Sequence, residues 1–273
     1  MEKQSKISLV DTHAHLNLDD FSQDYRQAEE RALAAGVGTI VNVGIDVPTN
    51  RRAVEMAEES PHMLAAAGFH PHDAAKVSRD DINWLGELAG HPRVVAIGET
   101  GLDFYRNRAP VDDQLKVLKW KLELARDLDL PVVIHCRQAE RDIIPILTRW
   151  AAGYRIPDGG SPGVIHCFNG DAEAARSYLK AGFFIAFGAY VGYPSSKGLY
   201  SAIRAVPERR LLVETDAPFL PPQQYRGKRN EPAYIPLIVR MLAQIRGSTP
   251  EDVAAATSAN AAQVFRLKRD TIA

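Results

Sequence analysis

Eight short, almost uniformly apolar runs recur along the chain, and they limit its fold more than any other feature. They lie at residues 7–10, 39–43, 64–67, 94–97, 132–134, 164–165, 183–187 and 211–213. A strand with one wet face alternates apolar and polar side chains. A strand that is apolar throughout is buried on both faces, as in a parallel sheet. Stretches with helical periodicity separate the runs, at 24–35, 49–59, 80–89, 112–128, 139–151, 171–181 and 200–205, and two more follow at 234–246 and 250–266. Within 112–128, Leu115, Leu118, Leu122 and Ala125 repeat at helical spacing. Thr249 ahead of Pro250, Glu251 and Asp252 gives the last helix a capping hydroxyl, a first-turn proline and early acids.

Strands alternating with helices predict an α/β protein, a (β/α)8 TIM barrel. A doubly wound open sheet satisfies the same pattern. The length of 273 residues suits one barrel, so a single domain over 1–273 is expected. There is no internal repeat, low-complexity tract or interdomain linker. Residues 156–163 read as a loop, and 218–232, rich in Pro, Gln, Arg and Lys, form a second loop directly after the last strand.

Composition excludes several classes. A net charge of -1 argues against a protein that coats nucleic acid through overall charge, while leaving room for a local basic patch. Two cysteines, Cys136 and Cys167, are too few for a disulfide framework and fit a reducing compartment as free thiols. The first residues lack the apolar core of a signal peptide, and no run of about 18 apolar residues is present. A cytoplasmic, monomeric protein with no membrane association is expected.

The chemistry collects where strands end. His13 and His15 follow the first run, His70 and His72 the third, Glu99 the fourth, His135 the fifth, His166 the sixth and Asp216 the eighth. In a barrel those ends share one rim, the rim that carries active sites. His13 and His15 stand two apart, so extended backbone points both imidazoles the same way. Taken singly, each of these residues has a plain structural explanation; a histidine pair near a turn is often only a surface pair. Alternation places Cys136 and Cys167 outward, toward the helices. Glu99 is the natural bridge, because a carboxylate offers one oxygen to each of two metals. Asp216 can bind a metal and accept a proton from the attacking water. Glu214, on the same face, is expected to support it. Two divalent ions about 3.5–4 Å apart would stabilise both oxygens of an in-line displacement. Histidine-rich ligation favours Zn or Mn, and Mg remains compatible.

Seven segments then carry a resemblance: DTHAHL at 11–16, GFHP at 68–71, GETGLD at 98–103, PVVIHCRQA at 131–139, GVIHCFNG at 163–170, ETDAPFL at 214–220 and RGKRNEP at 226–232. Together they resemble the TatD-like metal-dependent hydrolases, the TatD DNase family. The resemblance implies a (β/α)8 barrel, cleavage of DNA phosphodiester bonds and a two-metal site. It implies that His13, His15, Glu99 and Asp216 hold one metal and that Glu99, His135 and His166 hold the other. DNA is then the transient partner, and an exonuclease acting on ends or single strands is the expected activity, with Glu99 and Asp216 catalytic.

Arg226, Lys228 and Arg229 in the loop after the last strand are expected to hold phosphate, as is Arg137, two residues past His135. Such charge runs are otherwise solvated. His70 is expected to touch substrate. Phe104, Tyr105 and Tyr225 lie near the rim, where aromatics either stack on bases or cap the core. The rival enzyme is an amidohydrolase-type hydrolase of an amide, lactone or aminoacyl ester. Many of those bridge their metals with a modified lysine, where this chain has Glu99. A non-catalytic barrel would have lost ligands, and all six are present.

Overall fold

The computed structural model describes residues 8–153 and 160–267. Eight strands run through it: β1 (Leu9–Ala14), β2 (Val37–Val43), β3 (Met63–Ala67), β4 (Val94–Asp103), β5 (Val132–Arg137), β6 (Gly163–Ile165), β7 (Phe184–Phe187) and β8 (Leu211–Val213). They form one sheet in the order β1 to β8, with every neighbouring pair parallel. A parallel bridge between Ala14 and Ala217 closes the ring. This is the expected barrel and not the open sheet. Around it pack α1 (Tyr25–Ala34), α2 (Val47–Glu59), α3 (Arg79–Ala89), α4 (Val111–Asp127), α5 (Glu140–Ala152), α6 (Ala172–Lys180), α7 (Tyr200–Ala205), α8 (Ile235–Arg246) and α9 (Pro250–Val264). Among the described residues no helix is long and apolar enough to cross a membrane. Ile7, assigned above to the first strand, and residues 156–159 of the expected loop lie outside the described residues.

Several helices start on a side-chain cap. The Thr249 hydroxyl accepts from the Asp252 N–H and opens α9. Asp46 and Ser78 form capping boxes with Thr49 and Asp81 for α2 and α3. Two apolar layers result. One lies between strands and helices. The other fills the barrel with Val10, Val41, Ala66, Ala96, Val133, Val164, Phe184 and Leu212, against Ala261, Val264 and Phe265 at the end of α9. α9 therefore plugs the end of the barrel away from the histidines.

Several strands outrun their apolar runs. β1 continues through Asp11–Ala14, β4 through Glu99 to Asp103, and β5 through His135 to Arg137. In two of them the register slips. β1 has an extra residue between Asp11 and Ala14 relative to β2, and β4 has one between Ile97 and Thr100 relative to β5. Such bulges re-aim side chains. Ala96 faces the interior, so strict alternation would turn Glu99 outward; the extra residue turns it in.

Gly101 sits where β4 passes closest to β5. Its φ is +152°, and a Cβ there would lie 1.8 Å from the His135 carbonyl oxygen. Both strand backbones would have to move. We expect Gly101→Ala to cost more than about 3 kcal/mol in urea unfolding. A loss below about 1 kcal/mol would show that this contact is soft.

Candidate metal centre

Glu99 occupies the middle of the barrel mouth, 3% exposed. Its two oxygens face different partners. Oε2 lies 3.6 Å from His13 Nε2 and 3.7 Å from His15 Nε2. Oε1 lies 2.7 Å from His135 Nδ1, 2.8 Å from His166 Nε2 and 3.5 Å from His70 Nε2. Asp216 Oδ1 completes the first group, 3.5 Å from His15 Nε2 and 3.8 Å from His13 Nε2. The structure thus brings all six sequence-selected residues to one place.

Each element holds its residue rigidly. The His13 and His15 Nε2 atoms are 3.0 Å apart, as expected from their spacing, and His15 Nδ1 is fixed on the Val43 carbonyl at 2.7 Å. Asp216 sits three residues beyond β8, not at its end. Its φ is +57°, a left-handed conformation that aspartate tolerates better than most residues, and its N–H donates to the His13 carbonyl at 2.8 Å. Glu214 is fully buried. It accepts from the Cys167 N–H and lies 3.6 Å from His166 Nδ1, which supports His166 more directly than Asp216.

One participant was missed from sequence. Asp103 Oδ2 lies 3.2 Å from His135 Nε2 and 2.9 Å from His72 Nε2, while Oδ1 accepts from the Arg106 N–H at 2.7 Å. The Asp103 backbone N–H donates to Gln114 Oε1 of α4 at 2.8 Å. Asp103 therefore fixes the His135 ring with Nδ1 toward Glu99. The signal was present: Asp103 follows Glu99 by four along β4, on the same face.

Electrostatics fit a site for cations. Burial disfavours a charged Glu99, yet the imidazoles of His166, His70, His13 and His135 hold its carboxyl well below the usual range. Burial also opposes charge on His166, but Glu99 and Glu214 push it well above the ordinary imidazole value; His15 and His135 are raised similarly by their carboxylate partners. His13 is lowered, by burial first and then by His166. His13 Nδ1, His166 Nδ1 and Glu214 Oε2 are buried without a hydrogen-bond partner. Three groups have ligand atoms within 4.8 Å of one another: His13–His15–Asp216, His70–Glu99–His135 and His13–His166–Glu214. Nitrogen and carboxylate donors in this proportion suit Zn or Mn, with Mg permitted.

The remaining expected residues divide. His70 stands within a ligand-capable group rather than at its edge, and burial holds its imidazole well below the usual value. Arg137 is exposed, with its guanidinium 4.1 Å from the Tyr105 ring. Arg226 and Lys228 are exposed in the loop after β8. Arg229 is held differently. Its guanidinium pairs with Asp24 at 2.6 Å and 2.7 Å and covers the Phe21 ring at 4.0 Å, so it ties the loop to the start of α1. Tyr225 stacks on Tyr234 at 4.6 Å, and Phe104 packs against the core; only Tyr105 of the three aromatics stands open, 54% exposed. Both cysteines are free. Cys136 meets Tyr178 of the helix layer as expected, and burial pushes its thiol up to about 12. Cys167 departs from expectation. Its φ of +46° breaks the alternation, and its thiol, raised by burial, lies among the charges of Asp216, Glu214 and Glu99.

Comparison with known proteins fits this arrangement. The family profile described as TatD related DNase matches residues 10–266. The chain belongs to that family. It is 41% identical to YabD of Bacillus subtilis (strain 168), an uncharacterized metal-dependent hydrolase, over 95% of this chain and 99% of the relative. It is 35% identical to the 3'-5' ssDNA/RNA exonuclease TatD of Citrobacter rodentium (strain ICC168), over 95% and 98%. Among solved structures, the TatD homologue YJJV of Escherichia coli K12 superposes with a TM-score of 0.89 at 29% identity, covering 96% of this chain and 99% of that one. The chain is thus a TatD-family hydrolase.

Two outcomes follow for metal uptake. Removing the Asp103 carboxylate frees the His135 ring, so Asp103→Asn should weaken metal affinity about 10- to 100-fold with the circular dichroism unchanged; equal affinity in a chelator competition would contradict the role. Protons on His166, His15 and His135 leave only above the ordinary imidazole value and must leave before a metal binds. Affinity should therefore keep rising with pH above about 6.5. In the metal-free chain the sign is opposite: stabilisation from these raised groups is complete below about 6.5 and is lost as pH rises through their folded values. A flat affinity profile between pH 6.5 and 8 would refute the assignment.

Proposed function

We propose that this chain is a metal-dependent deoxyribonuclease that hydrolyses phosphodiester bonds, acting as an exonuclease on ends or single strands of DNA. The observation that carries this reading is Glu99, with one oxygen toward His13 and His15 and the other toward His135 and His166. In this reading His13, His15, Asp216 and Glu99 would hold one divalent ion, and Glu99, His135 and His166 would hold a second. Ions held there supply Lewis acidity, making water acidic enough to attack at neutral pH and offsetting phosphate charge. Asp216, anchored through its N–H, accepts the proton of the attacking water at its carboxylate. Arg137, Arg226 and Lys228 around the mouth hold phosphates of the strand, and neutral His70 can donate to a phosphoryl oxygen. The relatives named as 3'-5' ssDNA/RNA exonucleases support the substrate and direction.

The amidohydrolase alternative is less well supported. Among the described residues Lys121 is the one buried lysine. Its amine is spent on the carbonyls of Phe69 and Glu99 behind the site, so it does not enter the mouth as a bridging group.

The decisive experiment uses end-labelled single- and double-stranded DNA with protein loaded with Zn, Mn or Mg. Cleavage should vanish with EDTA and return on adding metal. Asp216→Asn should lower turnover about 100- to 10,000-fold, the usual worth of a positioned base, with the fold intact. Activity within tenfold of the parent would remove Asp216 from this role. Loaded protein that cleaves no DNA would overturn the nuclease reading.

A further inference from the structure

Lys121 is 1% exposed in the middle of α4. Helical spacing puts it in line with Gln114, Leu118 and Ala125 on the face that α4 buries. An apolar side chain would fill that position without the cost of burying an amine, and lysine is almost never fully buried unless its charge is paired. The amine turns to two backbone carbonyls. It donates to that of Phe69 and, at 3.4 Å, to that of Glu99.

Those carbonyls lie where the sheet has stopped holding its strands together. The ladder between β3 and β4 ends at Ala67 and Ile97. Phe69 lies past that end on one side. Glu99 lies past it on the other, inside the bulge that β4 makes against β5. A bulge leaves its extra residue outside the ladder, so sheet hydrogen bonds do not fix the direction of the backbone there. Side chains from the helices take over. Asn50 of α2, fully buried, donates to the Gly68 carbonyl at 2.7 Å and accepts from the Gly68 N–H at 2.9 Å. Gly68 packs directly on the bulge: a Cβ on it would lie 2.7 Å from the Glu99 carbonyl oxygen. The Glu99 N–H is held by the Gly44 carbonyl at 3.2 Å, and Lys121 holds the carbonyl side of the same residue. His70 directly follows Phe69, and its Nε2 lies 3.5 Å from Glu99 Oε1. One amine therefore stands behind both groups.

We propose that Lys121 is a positioning residue of the metal centre. By joining the Phe69 and Glu99 carbonyls it sets the direction of the Glu99 carboxylate and its distance from His70, and through them the affinity for metal. The Glu99 carbonyl and side chain share one stretch of backbone, so a peptide that turns when the amine is removed swings the carboxylate with it. A carboxylate set between imidazoles of several strands tolerates little such motion. Partners that orient metal ligands usually grip the ligand side chain. Here the grip is on the backbone that carries it. The inference rests on Glu99 as a shared metal ligand and not on the identity of the substrate.

The test is the Zn affinity of the full-length chain, read by competition with a chromophoric chelator. Lys121→Met keeps an unbranched side chain and removes the donors. It should weaken Zn binding about 10- to 100-fold, the loss expected when an outer partner of a metal ligand is removed. Lys121→Gln keeps two N–H donors and should stay within about threefold of the parent. Leu122→Ala opens a cavity next to Lys121 in the same helix. It should lower the urea midpoint and leave Zn affinity alone, which separates positioning from general loosening. NMR of the chain labelled at the lysine ζ-nitrogen gives a reading that does not require Lys121→Met to fold. Buried donors exchange slowly, so the parent should show one protected lysine resonance, missing in Lys121→Gln, that shifts when Zn is added. Parent affinity in Lys121→Met, an equal loss in Lys121→Gln or Leu122→Ala, or a protected resonance that Zn does not move overturns the proposal. The expected Zn pattern in a chain that cleaves no DNA supports the proposal and sinks the nuclease reading alone. A parent chain that takes up no Zn sinks both.

Discussion

A single buried carboxylate organises the mouth of this barrel. Glu99 is charged in a place where burial opposes charge, and it stays so because imidazoles approach it from several strands. A lone buried charge would cost several kcal/mol. The cost is offset only if His13, His15, His70, His135 and His166 all arrive with nitrogens turned toward it, so Glu99 sets the position of each. The supports behind these residues follow from the same need. Asp103 turns His135, Val43 turns His15, and Glu214 stands behind His166. Lys121 donates from α4 to the Glu99 and Phe69 carbonyls, tying the segment after β3 to the middle of β4.

The parts of the fold built on apolar burial were legible in the sequence. Every strand run and every α-helix was found because periodicity reports what a segment buries, and β8 and α7 came out at the observed bounds; the 3-10 helices, too short to show a period, were not. Strand ends were lost in β1, β4 and β5, all at the site. There the strand keeps its hydrogen bonds but trades apolar side chains for Asp, His, Glu and Arg, so hydrophobicity stops before the strand does. The bulges at Asp11–Ala14 and Ile97–Thr100 were equally invisible, because an extra residue changes the face without changing composition. Functional sites are where local rules of this kind are expected to fail.

The site residues divide along the same line. His13, His15, Glu99, His135, His166 and Asp216 could be collected because a barrel makes strand ends neighbours. Arg229 could not be separated from Arg226 and Lys228 by its position in the loop. Its partner, Asp24, lies 205 residues away in sequence, and only the folded chain brings the two together. Cys167 shows a further limit. Alternation assumes extended backbone, and a single residue at positive φ ends that assumption. Asp103 differs from both: its spacing puts it on the face of Glu99 along β4, but an aspartate at a strand end carries no mark in sequence that sets a metal support apart from an ordinary cap.

The seam between β8 and β1 explains why several motif residues that touch no candidate ligand atom are polar and buried. Among the described residues one bridge, at Ala14 and Ala217, closes the ring there. Side chains do the rest. The Asp11 carboxylate accepts from the Thr215 N–H at 2.9 Å, from its hydroxyl at 2.5 Å and from the His13 N–H at 3.2 Å. The Thr12 hydroxyl donates to the Val213 carbonyl at 2.8 Å. The His15 N–H donates to the Ala217 carbonyl at 2.7 Å, as the Asp216 N–H does to His13. The same few residues therefore close the barrel and set the distance between the His13–His15 pair and Asp216. A regular ladder would close the ring as well, but it would fix strand spacing at the sheet repeat. Closing it through Asp11 and Thr215 leaves the backbone free to turn at Asp216, which puts a carboxylate where a continuing strand would put a peptide.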